Sequence, residues 1–138
     1  MAYREVDSSA AALIVAFNGA VFRLDPETGA ELWCQHVGGG SRPMRLLISG
    51  ERGYVATSEA IWCLDVRSGD IHWSAQRTCV GDGPLVRVGG RLLVAADGVL
   101  ECFSETGEPL WVNSFDGYGY GPVALGVPGA PSEAGTGG

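Results

Sequence analysis

The sequence predicts an all-β protein of stacked four-stranded antiparallel sheets, the blades of a β-propeller, with about three blades per chain. Three observations lead there: a repeat with a period near 40 residues, two-residue turn signals at fixed places inside each period, and short apolar runs bounded by glycine. Periods of this length mark arrays of one supersecondary unit. The clearest unit is Leu24-Asp25-Pro26-Glu27-Thr28-Gly29-Ala30-Glu31-Leu32-Trp33. It returns as Leu64-Asp65-Val66-Arg67-Ser68-Gly69-Asp70-Ile71-His72-Trp73 and, one residue shorter, as Phe103-Ser104-Glu105-Thr106-Gly107-Glu108-Pro109-Leu110-Trp111. The tryptophans lie 40 and then 38 residues apart. Glycine-rich segments ending in proline keep the same register, at Gly38–Pro43, Gly81–Pro84 and Gly117–Pro122.

Each period divides into four short strands. In the third they are Leu85–Val88, Arg91–Ala96, Val99–Phe103 and Pro109–Asn113, separated by Gly89-Gly90, Asp97-Gly98 and a turn through Gly107. Primed turns need positive φ, so Gly-Gly and Asp-Gly between β-rich runs read as two-residue hairpins. Asn18-Gly19 takes the place of Asp97-Gly98 in the first period; the second has the weaker turn former Ser58-Glu59. The second strands, Ala11–Phe17 and Leu92–Ala96, have no polar face. That predicts burial on both sides, which face-to-face stacking of blades provides. These runs are too short, and too closely bounded by glycine turns, to read as periodic helix.

The repeat domain spans 1–127, with periods at about 9–42, 43–83 and 84–121 and an extra strand at 122–127. The tail, 128–138, lacks large hydrophobic residues and is expected to be disordered. A first strand for the first period would be Tyr3–Val6, which is short, charged and without the Gly-Pro marker. Val123–Val127 has that marker before it and no blade after it. The count is three blades' worth of strands, too few for a ring of about four to eight blades. A homodimer or other ring-completing oligomer is therefore expected. In the two-fold form, residues 122–127 of each chain complete the other's first blade. The alternatives are a larger ring or a longer propeller of which this chain is part.

The motif of an aliphatic or aromatic residue, Asp, two or three variable residues, Gly, three residues and Trp resembles the pyrroloquinoline-quinone-like β-propeller repeat, over about residues 10–127. The resemblance implies that Gly29, Gly69 and Gly107 sit in the turn before the outermost strand. It also implies that Trp33, Trp73 and Trp111 pack between neighbouring blades. The third period carries Ser104 in place of Asp and is one residue shorter, so its turn is expected to be tighter. The resemblance does not bring the cofactor with it. Quinone-dependent dehydrogenases of this fold are much longer, and carry an adjacent cysteine pair, a calcium site and an Asp general base. This chain has no adjacent cysteines and too few blades to enclose a quinone. An outer-membrane assembly scaffold in the same family uses the repeat for protein binding.

Composition excludes several chemistries. Hydrophobic residues make up 46% and charged residues 18%, as in a folded protein rather than a disordered one. Net charge is −7, and all nine basic residues are arginine. Without lysine there is no Schiff base, phosphate-loop lysine or Ser–Lys dyad. Scattered arginines make no basic stripe, so no nucleic-acid partner is expected. No apolar run reaches the ~18–20 residues of a membrane span, and Met1–Asp7 shows no export signal, which points to the cytoplasm.

The four cysteines, Cys34, Cys63, Cys79 and Cys102, have no C-x-x-C spacing and are expected to be reduced. Cys63 and Cys102 occupy equivalent third-strand positions and read as small buried hydrophobes too far apart for a disulfide. Cys34 and His36 could join Cys63, Cys79 or His72 around zinc, but the histidines are not repeat-equivalent, and no metal is assigned. No G-x-S-x-G and no Ser–His–Asp set occurs, so no catalytic residue and no cofactor is assigned either. The glycine clusters lack a following helix and read as blade linkers.

Four residues are candidates for binding. Arg45 and Arg87 fall in predicted innermost strands, where they would hold a carboxylate or phosphate or pair with an acid of a neighbouring blade. Tyr118 and Tyr120 lie in a rim linker and suit a contact surface or the packing of a blade joint. Trp62 is expected to add to inter-blade packing. The function expected is a non-enzymatic interaction or scaffold unit. The alternatives are a small-ligand-binding or sensor ring using the channel arginines, and a partial quinone-dependent dehydrogenase.

Overall fold

The computed structural model describes residues 12–78 and 80–129. Within them run eleven strands: β1 Leu13–Phe17, β2 Ala20–Leu24, β3 Glu31–His36, β4 Arg45–Ser49, β5 Arg52–Ala56, β6 Ala60–Asp65, β7 Ile71–Gln76, β8 Leu85–Val88, β9 Arg91–Ala96, β10 Val99–Ser104 and β11 Pro109–Asn113. They form three antiparallel sheets, in the orders β1-β2-β3, β4-β5-β6-β7 and β8-β9-β10-β11. We call them blades 1, 2 and 3.

The turns explain the boundaries. Asn18 and Gly19 have φ of 52° and 78°, Asp97 and Gly98 48° and 84°. Positive φ at both central residues is the mirror-image turn that matches strand twist. In the second period, Thr57 Oγ1 accepts hydrogen bonds from the Glu59 and Ala60 amides and so organises the turn that has no glycine. The outer ladder of every blade shifts register at the same repeat position, between Arg23 and Leu24, Cys63 and Leu64, Cys102 and Phe103. Such a bulge bends the strand as it enters the repeat turn.

Blades stack through apolar side chains. Val21 and Val37 of blade 1 meet Val55 and Leu64 of blade 2, with the half-buried Trp62 packed against them. Tyr54, Ala56, Ile61 and Cys63 of blade 2 meet Leu85, Leu92, Val94 and Phe103 of blade 3. The innermost strands β4 and β8 lie against each other. The linker after each outermost strand folds back over a hairpin of its own blade: the Val37 and Gly38 amides donate to Gly19 O, and the Arg77 amide to Glu59 O.

Two strand expectations are corrected. The apolar run ending at Phe17 is not buried on both sides: Leu13 is 41% and Phe17 55% exposed, because no blade covers one face of blade 1 among the described residues. Residues 123–127 form no strand; Leu125 alone makes a ladder bridge, and a strand needs a partner edge along its length. Tyr3–Val6, Cys79 and residues 130–138 of the tail lie outside the described residues.

Candidate functional site: blade joints and rim

Each joint begins with a turn glycine. Gly69 has φ +81°, and a Cβ on it would stand 2.6 Å from the Trp33 ring of the preceding blade. Gly107 has φ +92° and meets Trp73 at the same 2.6 Å. Glycine alone meets both demands, backbone sign and open surface. The indole edge is fixed too: Trp33 Nε1 donates to Val66 O at 3.0 Å, and Trp73 Nε1 to Glu105 O at 2.9 Å. Gln35 adds a bond from Nε2 to Gly69 O at 2.9 Å. Tyr54 packs its ring near Trp73, centroids 6.2 Å apart.

The turn that presents the glycine is capped from within. Asp25 Oδ1 accepts from the Glu27 amide and Asp65 Oδ1 from the Arg67 amide, both at 2.8 Å. The Gly29 and Gly69 amides reach the carbonyls of Asp25 and Asp65 at 2.7 Å. In the third period the Gly107 amide reaches Ser104 O at 3.1 Å, one residue tighter. The Ser104 hydroxyl replaces the carboxylate, accepting from the amides of Thr106 and Glu108 at 3.2 and 3.0 Å.

The third pair is not joined. Gly29, φ +77°, has nothing within 4 Å of its Cβ position, and Trp111 is 45% exposed. Within the single chain Trp33 and Trp73 pack between blades, and Trp111 has no blade after it among the described residues. The exposed face of blade 1 carries a depression of about 290 Å³ lined by Val15, Phe17, Phe22, Leu24, Gly29 and Glu31. The Phe17 and Phe22 rings stack there, 5.6 Å apart.

Sequence reading missed a buried polar latch at the second joint. Arg77, 7% exposed, donates from Nη1 to Thr57 O at 2.7 Å and Gly81 O at 2.9 Å, and from Nη2 to Ala95 O in blade 3 at 3.4 Å. Its Nε lies 3.8 Å from Glu101 Oε1. Glu101, 2% exposed, accepts from the Thr78 amide at 2.8 Å and its hydroxyl at 2.7 Å. The one available signal was a lone carboxylate inside the apolar run Val99–Phe103. At the first joint, Arg23 is likewise buried and donates from Nη1 to Val66 O at 3.0 Å.

The four candidate binding residues divide into two pairs. Arg45, on β4, bonds Asp82 through Nη2 at 2.9 Å and Gly83 O through Nε at 3.3 Å, in the linker entering blade 3. Arg87, on β8, pairs with Glu105 of its own blade rather than with a neighbour's acid, because the β10–β11 turn brings that carboxylate back to the inner strand. Tyr118 and Tyr120 are 89% and 88% exposed. They flank Gly119, whose carbonyl sits against Gly98 and closes the linker over the β9–β10 hairpin.

Cys34 is an exposed free thiol; Cys63 and Cys102 are buried free thiols. Burial pushes both buried thiols up, and for Cys63 the Arg52 guanidinium, 3.9 Å from the sulfur, opposes the shift. The described residues hold no group of three or more His, Cys, Asp or Glu suited to a metal.

A family model described as outer membrane protein assembly factor BamB matches residues 12–134. Among solved structures, the crystal structure of BamB from Moraxella catarrhalis is similar, with a TM-score of 0.62 and 26% identity over 78% of this chain and 34% of that one. The crystal structure of BBS1N in complex with ARL6DN shares the fold, with a TM-score of 0.59 and 20% identity over 76% of this chain and 36% of that one. The chain thus spans about a third of the length of both. No curated protein matches it.

Proposed function

The chain belongs to the family of outer membrane protein assembly factor BamB, and on that premise we propose that it is a propeller module that binds protein and catalyses no reaction. The observation that carries this reading is the pair Tyr118 and Tyr120, nearly fully exposed on a linker of alternating glycines. Aromatic side chains are enriched at protein interfaces. An exposed tyrosine costs little entropy to order, because only two side-chain torsions must be fixed. The small-ligand alternative draws on Arg45 and Arg87, but acids of this chain already engage both. A carboxylate or phosphate ligand would have to displace Asp82 or Glu105.

The test is site-directed photocrosslinking. A photoreactive amino acid at Tyr118 should capture one dominant protein, and Tyr118→Ser with Tyr120→Ser should abolish its binding. If the captured protein, once identified, still binds the double variant undiminished in a pull-down, the rim is removed as the binding surface. Dye reduction by the purified chain supplied with pyrroloquinoline quinone and calcium would overturn the non-catalytic reading.

A further inference from the structure

We propose that the two open ends of the blade stack are halves of the same joint, and that a second copy of this chain closes them into a six-blade ring. The internal joints define what fits. The face of blade 2 that takes Trp33 carries Val55, Trp62 and Leu64; the face of blade 3 that takes Trp73 carries Val94, Glu101 and Phe103. Repeat alignment places Val15, Phe22 and Leu24 at the same positions of blade 1, around Gly29. Those residues line the open depression. At the other end, Leu93, Leu100 and Trp111 of blade 3 are the repeat equivalents of Tyr54, Ile61 and Trp73, which blade 3 covers in the second joint.

The polar contacts extend in the same way. Trp33 and Trp73 each donate to the carbonyl one residue past the turn's capping side chain, Val66 after Asp65 and Glu105 after Ser104. The equivalent acceptor in blade 1 is Pro26 O, after Asp25. Trp111 of one copy therefore lies over Gly29 of the other, with Nε1 on Pro26 O. Connectivity agrees. The linkers after β3 and β7 lead into the innermost strands of the next blade, and residues 122–127 follow β11 in the same way. Blade 1, which would be next in the ring, is the blade with three strands among the described residues. Two copies give six blades, inside the closing range of about four to eight, whereas three copies would exceed it. Both joints in the ring are identical under the two-fold axis.

The experiment is native mass spectrometry with sedimentation on the intact chain and its variants. The chain should run at twice its 14.4 kDa mass. Trp111→Ala should be monomeric, since that side chain is exposed within one chain and its loss leaves the two internal joints intact. Gly29→Ala should be monomeric too, its methyl group meeting the partner's indole. Phe22→Arg, on the same face with ordinary strand backbone, serves as a second block. Mixing Trp111→Ala with Gly29→Ala restores one intact joint of the two and should give a mixed dimer that neither variant forms alone. A wild-type chain that stays monomeric through high micromolar concentration would overturn the proposal. So would an assembly of three or more chains, variants that still dimerise, or a mixture that does not pair.

Discussion

Gly107 and Gly29 share a positive φ but differ in what faces them, which separates two contributions to the joint. Alanine at either position feels the unfavourable backbone, a cost of about 1 kcal/mol or more. Within a single chain, of these two only the methyl group at Gly107 meets an indole, at 2.6 Å. In dilute urea denaturation Gly107→Ala should therefore lose clearly more stability than Gly29→Ala; equal losses would mean that the Trp73 contact contributes nothing. The Arg77–Glu101 latch gives a second residue-scale expectation. Both side chains are almost wholly enclosed, and breaking a buried pair from one side costs about 3–5 kcal/mol. Glu101→Ala should fall in that range, while Arg77→Met with Glu101→Leu should regain much of it. The joint glycines and tryptophans were legible in the sequence because they recur. The latch was not: Arg77 stands where the other periods have Val37 and Phe115, so it carries no repeat signal. Cys63 and Cys102, with thiols pushed up by burial, should resist alkylation at pH 8 in the folded chain and react in denaturant, whereas Cys34 should react in both.

At the scale of elements, strand limits were readable wherever a turn has a strict backbone requirement. β8, β9 and β11 run over the residues expected, and β10 is one residue longer. What the sequence did not carry is which faces are covered. Leu13–Phe17 and Leu92–Ala96 are equally apolar, yet β9 is mostly buried and β1 lies on an open face. Hydrophobicity records the need for a neighbour, not its presence. The same holds for residues 122–127, whose composition suits a strand but which make a single bridge. Hydrogen exchange should report this difference directly. In dilute solution the amides of β5, β6, β9 and β10 should exchange slowest, and those of β1 and β11 much faster, since protection follows burial and paired edges. Protection of β1 equal to that of β9 in a monomeric sample would contradict the open face.

For the whole molecule, the account rests on one device used repeatedly: an indole laid on a turn glycine, its N–H on a fixed carbonyl, tying each blade to the next. Sheets of three or four strands bury little alone, so stability comes from the joints. The most direct measurement is the unfolding free energy of Trp73→Ala against the parent chain. Trp73 belongs to the blade with neighbours on both sides and loses ring contacts and the hydrogen bond to Glu105 O together. Full enclosure would put the cost at ~3–5 kcal/mol; a half-buried ring lowers the expectation to about 2–4 kcal/mol. A loss in that range is the result the joint predicts, and a loss below about 1 kcal/mol, typical of surface positions, would contradict it.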